Sequence, residues 1–123
     1  MVVLVVDGAN VVGSRPDGWW RDRAGAARRL HERLLDMQVG QGEVVLVLEG
    51  DARPGCRAGR EGHVRTVHAD GSGDDAIVGE VRSQVAVGDG RDVIVVTADR
   101  LLRGRVEGAG AGTRSPRWLL DQL

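Results

Sequence analysis

Three stretches of the chain are apolar without interruption: Val2 to Val6, Val44 to Leu48 and Val93 to Val96. Each is rich in β-branched residues and lacks polar alternation. Such runs predict strands covered on both faces, as in a parallel sheet. His63 to Val67 is a weaker fourth run, and Gly112 to Ser115 predicts a short edge strand stopped by Pro116. Between these runs the period changes. Ala27, Leu30, Leu34 and Met37 fall on one helical face, with Gly40 and Gly42 expected to close the helix. Ile77, Val81 and Val85 recur at helical spacing and end at Gly88. Leu101, Leu102 and Val106 mark a third helix ending near Gly108, and Trp118 to Leu123 predicts a last amphipathic turn. The glycine-rich stretches Gly55 to Gly62 and Gly108 to Gly112 read as loops, not interdomain linkers.

The order strand, helix, strand, strand, helix, strand, helix predicts an α/β fold. It is a three-layer, doubly wound, mainly parallel sheet of four to five strands with right-handed crossovers and helices on both faces. A length of 123 residues suits a single domain over 1–123. Phe and Tyr are absent, so the core must be built from Val, Leu, Ile and Ala.

Charge changes this picture little. The net charge of −1 argues against a wholly basic nucleic-acid coat. All 17 basic side chains other than histidine are Arg, so an isolated Arg carries little weight. A single cysteine, Cys56, excludes an internal disulfide and a cysteine-built zinc site. The first apolar run lacks a basic leader and is too short for a signal peptide, and no segment suits a membrane span. A reducing cytoplasm fits these features.

The carboxylates are more informative. Sites in open parallel sheets form beyond the carboxyl ends of the strands. Asp7 follows the first run, Glu49 follows the second, and Asp99 lies shortly after Val96. Asp74 and Asp75 open the helix after the weak fourth strand. Like charges gathered there repel one another unless a cation is present. Mg²⁺ or Mn²⁺ takes oxygen ligands, activates water and stabilises the charge on a phosphodiester in transfer. The alternative for each residue is structural, because acidic residues favour helix N-termini and polar loops, and Ser72 is placed to cap.

Val5-Val6-Asp7-Gly8-Ala9-Asn10 resembles the opening of the NYN domain, a branch of the PIN-like nuclease superfamily. The resemblance continues at Val47-Leu48-Glu49-Gly50, Gly73-Asp74-Asp75-Ala76-Ile77 and Thr97-Ala98-Asp99-Arg100, and in the tail from Ser115 to Leu120. It implies a PIN-like, Rossmann-related fold and metal-dependent cleavage of RNA. Asp7, Asp74, Asp75 and Asp99 would then hold Mg²⁺ or Mn²⁺. Asn10 would support the first carboxylate or touch substrate, and Thr97 would steady the turn after Val96. Glu49 departs from the family's usual Asp, and Asp51 is its substitute candidate.

Arg100, in the last of these motifs, is a further candidate for substrate contact. Arg53, Arg57, Arg60 and Arg65, with Arg15, Arg21 and Arg23, could form a basic rim guiding phosphates or a solvated loop surface. Trp19 and Trp20 could stack on a base, though packing is the commoner role. Trp118 reads as packing, His31 as solvated, His63 and His68 as structural, and Cys56 as a loop residue open to exposure. No nucleophile elbow or phosphate-cradling glycine loop is present.

The leading expectation is a metal-dependent endoribonuclease with RNA as partner. An RNA-binding module without efficient chemistry is the alternative, with Glu49 as its lesion. A phosphoryl-acceptor domain ranks low for want of Lys, and a phosphatase for want of Asp-x-Asp. The oligomeric state stays open, a homodimer included.

Overall fold

The valine runs become the centre of the sheet. The computed structural model describes residues 1–39 and 42–123. The strands are β1 (Val2–Asp7), β2 (Glu43–Leu48), β3 (Gly59–Glu61), β4 (Val64–His68), β5 (Asp92–Val96) and β6 (Gly112–Arg114). The helices are α1 (Gly8–Gly13), α2 (Arg23–Asp36), α3 (Gly73–Ala86), α4 (Arg100–Gly108) and α5 (Pro116–Leu120). Short 3-10 turns occupy Trp19–Arg21 and Gly50–Gly55. The six strands lie in the order β3-β4-β2-β1-β5-β6, all parallel except β3, which runs antiparallel to β4.

Unbroken apolar runs are needed because both faces of this sheet are covered. Along β1, Leu4 and Val6 enter one core while Val3 and Val5 enter the other. Along β2, Val44, Leu46 and Leu48 oppose Val45 and Val47 in the same way. The first core is closed by Val11 of α1, Leu30 and Leu34 of α2, and Leu119 of α5. The second is closed by Ile77 and Val81 of α3 and by Leu102 and Val106 of α4. The expected three-layer, doubly wound α/β architecture is therefore the one observed.

Several details differ from expectation. The sheet has six strands, not four to five, because part of the Gly55–Gly62 stretch read as a loop forms β3. Its Gly59-Arg60-Glu61 sequence has no apolar side to bury, so no hydrophobic pattern could announce it. Asp7 is the last residue of β1, and α1 follows without a loop. Helix α2 ends at Asp36. Of the two glycines expected to close it, Gly40 lies outside the described residues, and the Gly42 N–H meets the Val39 carbonyl in the approach to β2. Leu101 is 82 % exposed beside buried Leu102 and Val106, and Val85 also faces outward. Cys56 is buried, its thiol near the Ala27 carbonyl, rather than exposed in a loop. Among the described residues, no helix is long and apolar enough to cross a membrane.

Candidate active site

The direction of chain growth reverses at β1. The path runs from β1 to β2 and β4 on one side, then crosses to β5 and β6 on the other. Crevices at such a switch point, beyond the carboxyl ends of the strands, are where open α/β sheets bind ligands. Here Asp7 ends β1, and Thr97 directly follows β5.

Asp7 is buried at this junction and held from two directions. Its Oδ1 accepts from the Asn10 N–H at 3.3 Å and so caps α1. Its Oδ2 accepts from the Thr97 hydroxyl at 2.9 Å. Thr97 Oγ1 in turn accepts from the Asp99 N–H at 3.2 Å, and Asp99 caps α4 through the Leu102 N–H at 3.0 Å. The Asn10 side-chain oxygen takes the Ala98 N–H at 2.8 Å. The ends of β1 and β5 are thus laced together by side chains from both motifs. Arg103, whose role the sequence did not indicate, donates to the Thr97 carbonyl at 2.8 Å and secures the same turn.

Glu49 reaches the cluster from β2. Its Oε2 accepts from the Gly73 N–H at 2.8 Å, at the start of α3. A Cβ on Gly73 would come within 3.0–3.1 Å of the Glu49 carboxyl group, so the bare glycine lets the acid approach. Gly8 serves a similar end. A Cβ there would lie 2.7 Å from the Val47 carbonyl oxygen, which explains why a glycine follows Asp7 where α1 meets β2.

The carboxylates sense one another. Burial raises the pKa of Asp7, hydrogen bonds from Thr97 and Asn10 lower it, and the charges of Asp74 and Glu49 raise it further; the net shift is upward. Asp74 is also raised, first by burial, then by the charges of Asp99 and Glu49, against an opposing pull from Arg105. Asp7, Glu49, Asp74 and Asp99 therefore converge at one edge. Asp75 is turned away: its carboxylate pairs with Arg105 at 2.9 Å on the exposed side of α3. Among the described residues, no three Asp, Glu, His or Cys side chains are grouped tightly enough to hold an ion by themselves.

The surrounding residues sort differently from the sequence reading. Arg60 pairs with Glu43 and Arg65 with Glu80, which removes both from a free basic rim. Arg53 is tied to the Gly50 and Ala69 carbonyls beside the site. Arg57 and Arg100 are exposed. His68 is occupied by the Cys56 carbonyl at 2.7 Å and His63 by that of Leu34, in line with structural roles. His31 is not on an open face: it is partly buried, 3.6 Å from Glu61. Arg23 lies over the Trp19 ring and Arg21 over that of Trp20, and the two indoles meet edge to face.

The fold has solved counterparts. Two crystal structures of Rae1 (YacP) from Bacillus subtilis, one of them a point mutant, match 98 % of this chain with TM-scores of 0.69 and 0.65. Their sequences are 18 % and 19 % identical to it, and 72 % and 74 % of each is covered. At that identity the likeness is one of architecture. No protein-family model matches the chain, and no curated sequence does.

Proposed function

We propose that this protein is a divalent-metal-dependent endoribonuclease of the NYN type. The carrying observation is the convergence of Asp7, Glu49, Asp74 and Asp99 at the switch point, where burial first and the neighbouring carboxylates second raise both Asp7 and Asp74. The Asp-Gly-x-Asn and Thr-x-Asp-Arg motifs that suggested the family lie together here, joined by the Asp7–Thr97 and Asn10–Ala98 hydrogen bonds. The likeness to Rae1 (YacP) adds a solved example of the architecture.

The donors suit a hard cation, since all are carboxylate oxygens. Mg²⁺ needs only one or two protein carboxylates, keeping waters and substrate phosphate as its other ligands. That requirement is compatible with a site lacking a closed three-ligand cage. One or two of Asp7, Asp74 and Asp99 would hold Mg²⁺ or Mn²⁺ directly, with the remaining acid and Glu49 joining through water. The bound ion would supply Lewis acidity and an activated water for phosphodiester hydrolysis. Thr97 and Asn10 fix the Asp7 carboxylate against rotation, and Arg103 holds the turn that presents Asp99. Arg53, Arg57 and Arg100 supply positive charge for the phosphate backbone. Asp75, paired with Arg105, contributes to the field rather than to the ligand set.

One observation favours a second reading, an RNA-binding module without chemistry: Glu49 already engages the Gly73 N–H. Cleavage of single-stranded RNA in Mn²⁺, with EDTA and Asp7→Asn as controls, separates the two. The nuclease reading expects cleavage that both controls abolish. Absence of cleavage in Mn²⁺ and Mg²⁺ alike overturns it.

A further inference from the structure

The acidic edge continues into a cleft of ≈ 300 Å³ between the Trp19–Arg21 turn and the start of the Gly50–Gly55 turn. Trp19, Arg23 and Glu49 line it, over apolar side chains of Val12, Ala27 and Leu48. Its size is at the lower end of small-ligand pockets, about 300–1,000 Å³. A Cβ placed on Gly50 or Gly71, which also border the cleft, meets nothing within 4 Å, so the space around them is open. Glu49 belongs both to this cleft and to the acidic cluster.

We propose that the cleft receives one unpaired nucleobase of the strand whose phosphate lies at the acidic edge, stacked on Trp19 and favoured when it carries an exocyclic amino group. The inference rests on the nuclease reading for its substrate class. Unpaired bases stack on indole rings and on guanidinium planes. Trp19 and Arg23 provide both, already set against each other with the guanidinium 5.2 Å from the ring centroid. The apolar side chains suit the base's faces and exclude water from the stack. Polar selection falls to Glu49, the one carboxylate lining the cleft among the described residues. An ionised carboxylate only accepts hydrogen bonds. It therefore pairs with the amino groups of adenine, cytosine and guanine. Uracil offers one ring N–H flanked by two carbonyl oxygens, which the carboxylate repels.

Binding of short fluorescent oligoribonucleotides in EDTA tests this without cleavage. The full chain is titrated with strands carrying a single abasic site at successive positions. One position is expected to weaken binding by roughly 5- to 100-fold, the scale of one lost base–aromatic stack. Trp19→Ala is expected to cause a similar loss and to erase the abasic effect, whereas Trp19→Phe retains most of it. Glu49→Gln is expected to remove the preference for amino-bearing bases over uracil at that position. Circular dichroism confirms the fold of each variant, and Trp19→Phe with the wild-type abasic scan decides the matter if Trp19→Ala unfolds. A flat abasic scan, unchanged affinity in folded Trp19→Ala, or uracil bound as well as the other bases overturns the proposal. Cleavage in Mn²⁺ with a flat scan leaves the nuclease reading standing and removes this one. Position-selective binding without any cleavage does the reverse.

Discussion

The Thr97 hydroxyl donates to Asp7 Oδ2 at 2.9 Å, tying the end of β5 to the end of β1 inside the molecule. Both residues are buried, so no water replaces the donor if it is lost. Thr97→Val keeps the shape and deletes the hydroxyl. It should cost about 1–3 kcal/mol in urea unfolding, the penalty for a buried polar group left without its partner. It should also push the Asp7 pKa further up, because the bond that lowers it is gone. Carboxyl NMR titration reads that shift, and Thr97→Ser, which keeps the hydroxyl and loses only a buried methyl, should leave the Asp7 pKa where it is.

Asp7→Asn should reduce RNA cleavage by about two to three orders of magnitude, the scale of losing one key electrostatic contact. In the metal-free protein the amide can accept from only one of the Asn10 N–H and the Thr97 hydroxyl, a loss present at every pH, but the substitution also removes a cost that depends on pH. The folded pKa of Asp7 is raised, so ionising it costs more in the folded chain than in the unfolded one. That cost is absent well below the ordinary carboxyl value of 3.8, where Asp7 is protonated in both states. It grows as pH rises from there through the folded pKa, then stays constant. Thermal melts of both proteins from pH 3 to pH 7 should therefore show a stability difference that moves in favour of Asn as pH rises, this relative advantage shrinking toward the acid end. An advantage that grows toward acid would contradict the direction of the shift.

Gly8→Ala should destabilise by about 1–3 kcal/mol, since the new methyl meets the Val47 carbonyl and the Leu48 side chain in a packed interior. Gly73→Ala bears on the site more than on the core. Its Cβ would press on the Glu49 carboxyl group, which must give by a few tenths of an ångström at the start of α3. Comparison of the two by urea unfolding and by cleavage rate should show the larger stability loss for Gly8→Ala.

Mn²⁺ or Mg²⁺ should raise the melting temperature of the wild-type protein and not of Asp7→Asn. A ligand that binds only the folded state stabilises by about 2.7 kcal/mol at a hundred times its dissociation constant. Calorimetric scans with increasing Mn²⁺, against EDTA, measure it. Equal shifts in the two proteins would remove Asp7 from the ligand set.

Asp75→Asn should be nearly silent. Its partner Arg105 and Asp75 itself are both solvent-exposed, and exposed pairs contribute about 0–1 kcal/mol. Cleavage by Asp75→Asn should stay much closer to wild type than cleavage by Asp74→Asn. A loss as large as that of Asp7→Asn would return Asp75 to the metal site.

By itself the sequence determined the layers of this protein. Val2–Val6, Val44–Leu48 and Val93–Val96 have no polar side, so only a sheet covered twice could bury them, and helical spacing supplied the covers. Strand ends then placed Asp7, Glu49, Asp74, Asp75 and Asp99 at one edge by topology alone. Tertiary structure decided what local pattern does not encode. β3 exists because β4 offers an open edge, not because Gly59-Arg60-Glu61 has strand character. Asp74 and Asp75 are adjacent and chemically alike, yet helical rotation turns one toward Asp99 and the other toward Arg105. The Thr97–Asp7 bond spans 90 positions of sequence, and the Trp19 cleft joins residues from the 3-10 turn, α2 and the β2 end. Side chains that distant meet only after the crossovers have brought β1, β2 and β5 side by side.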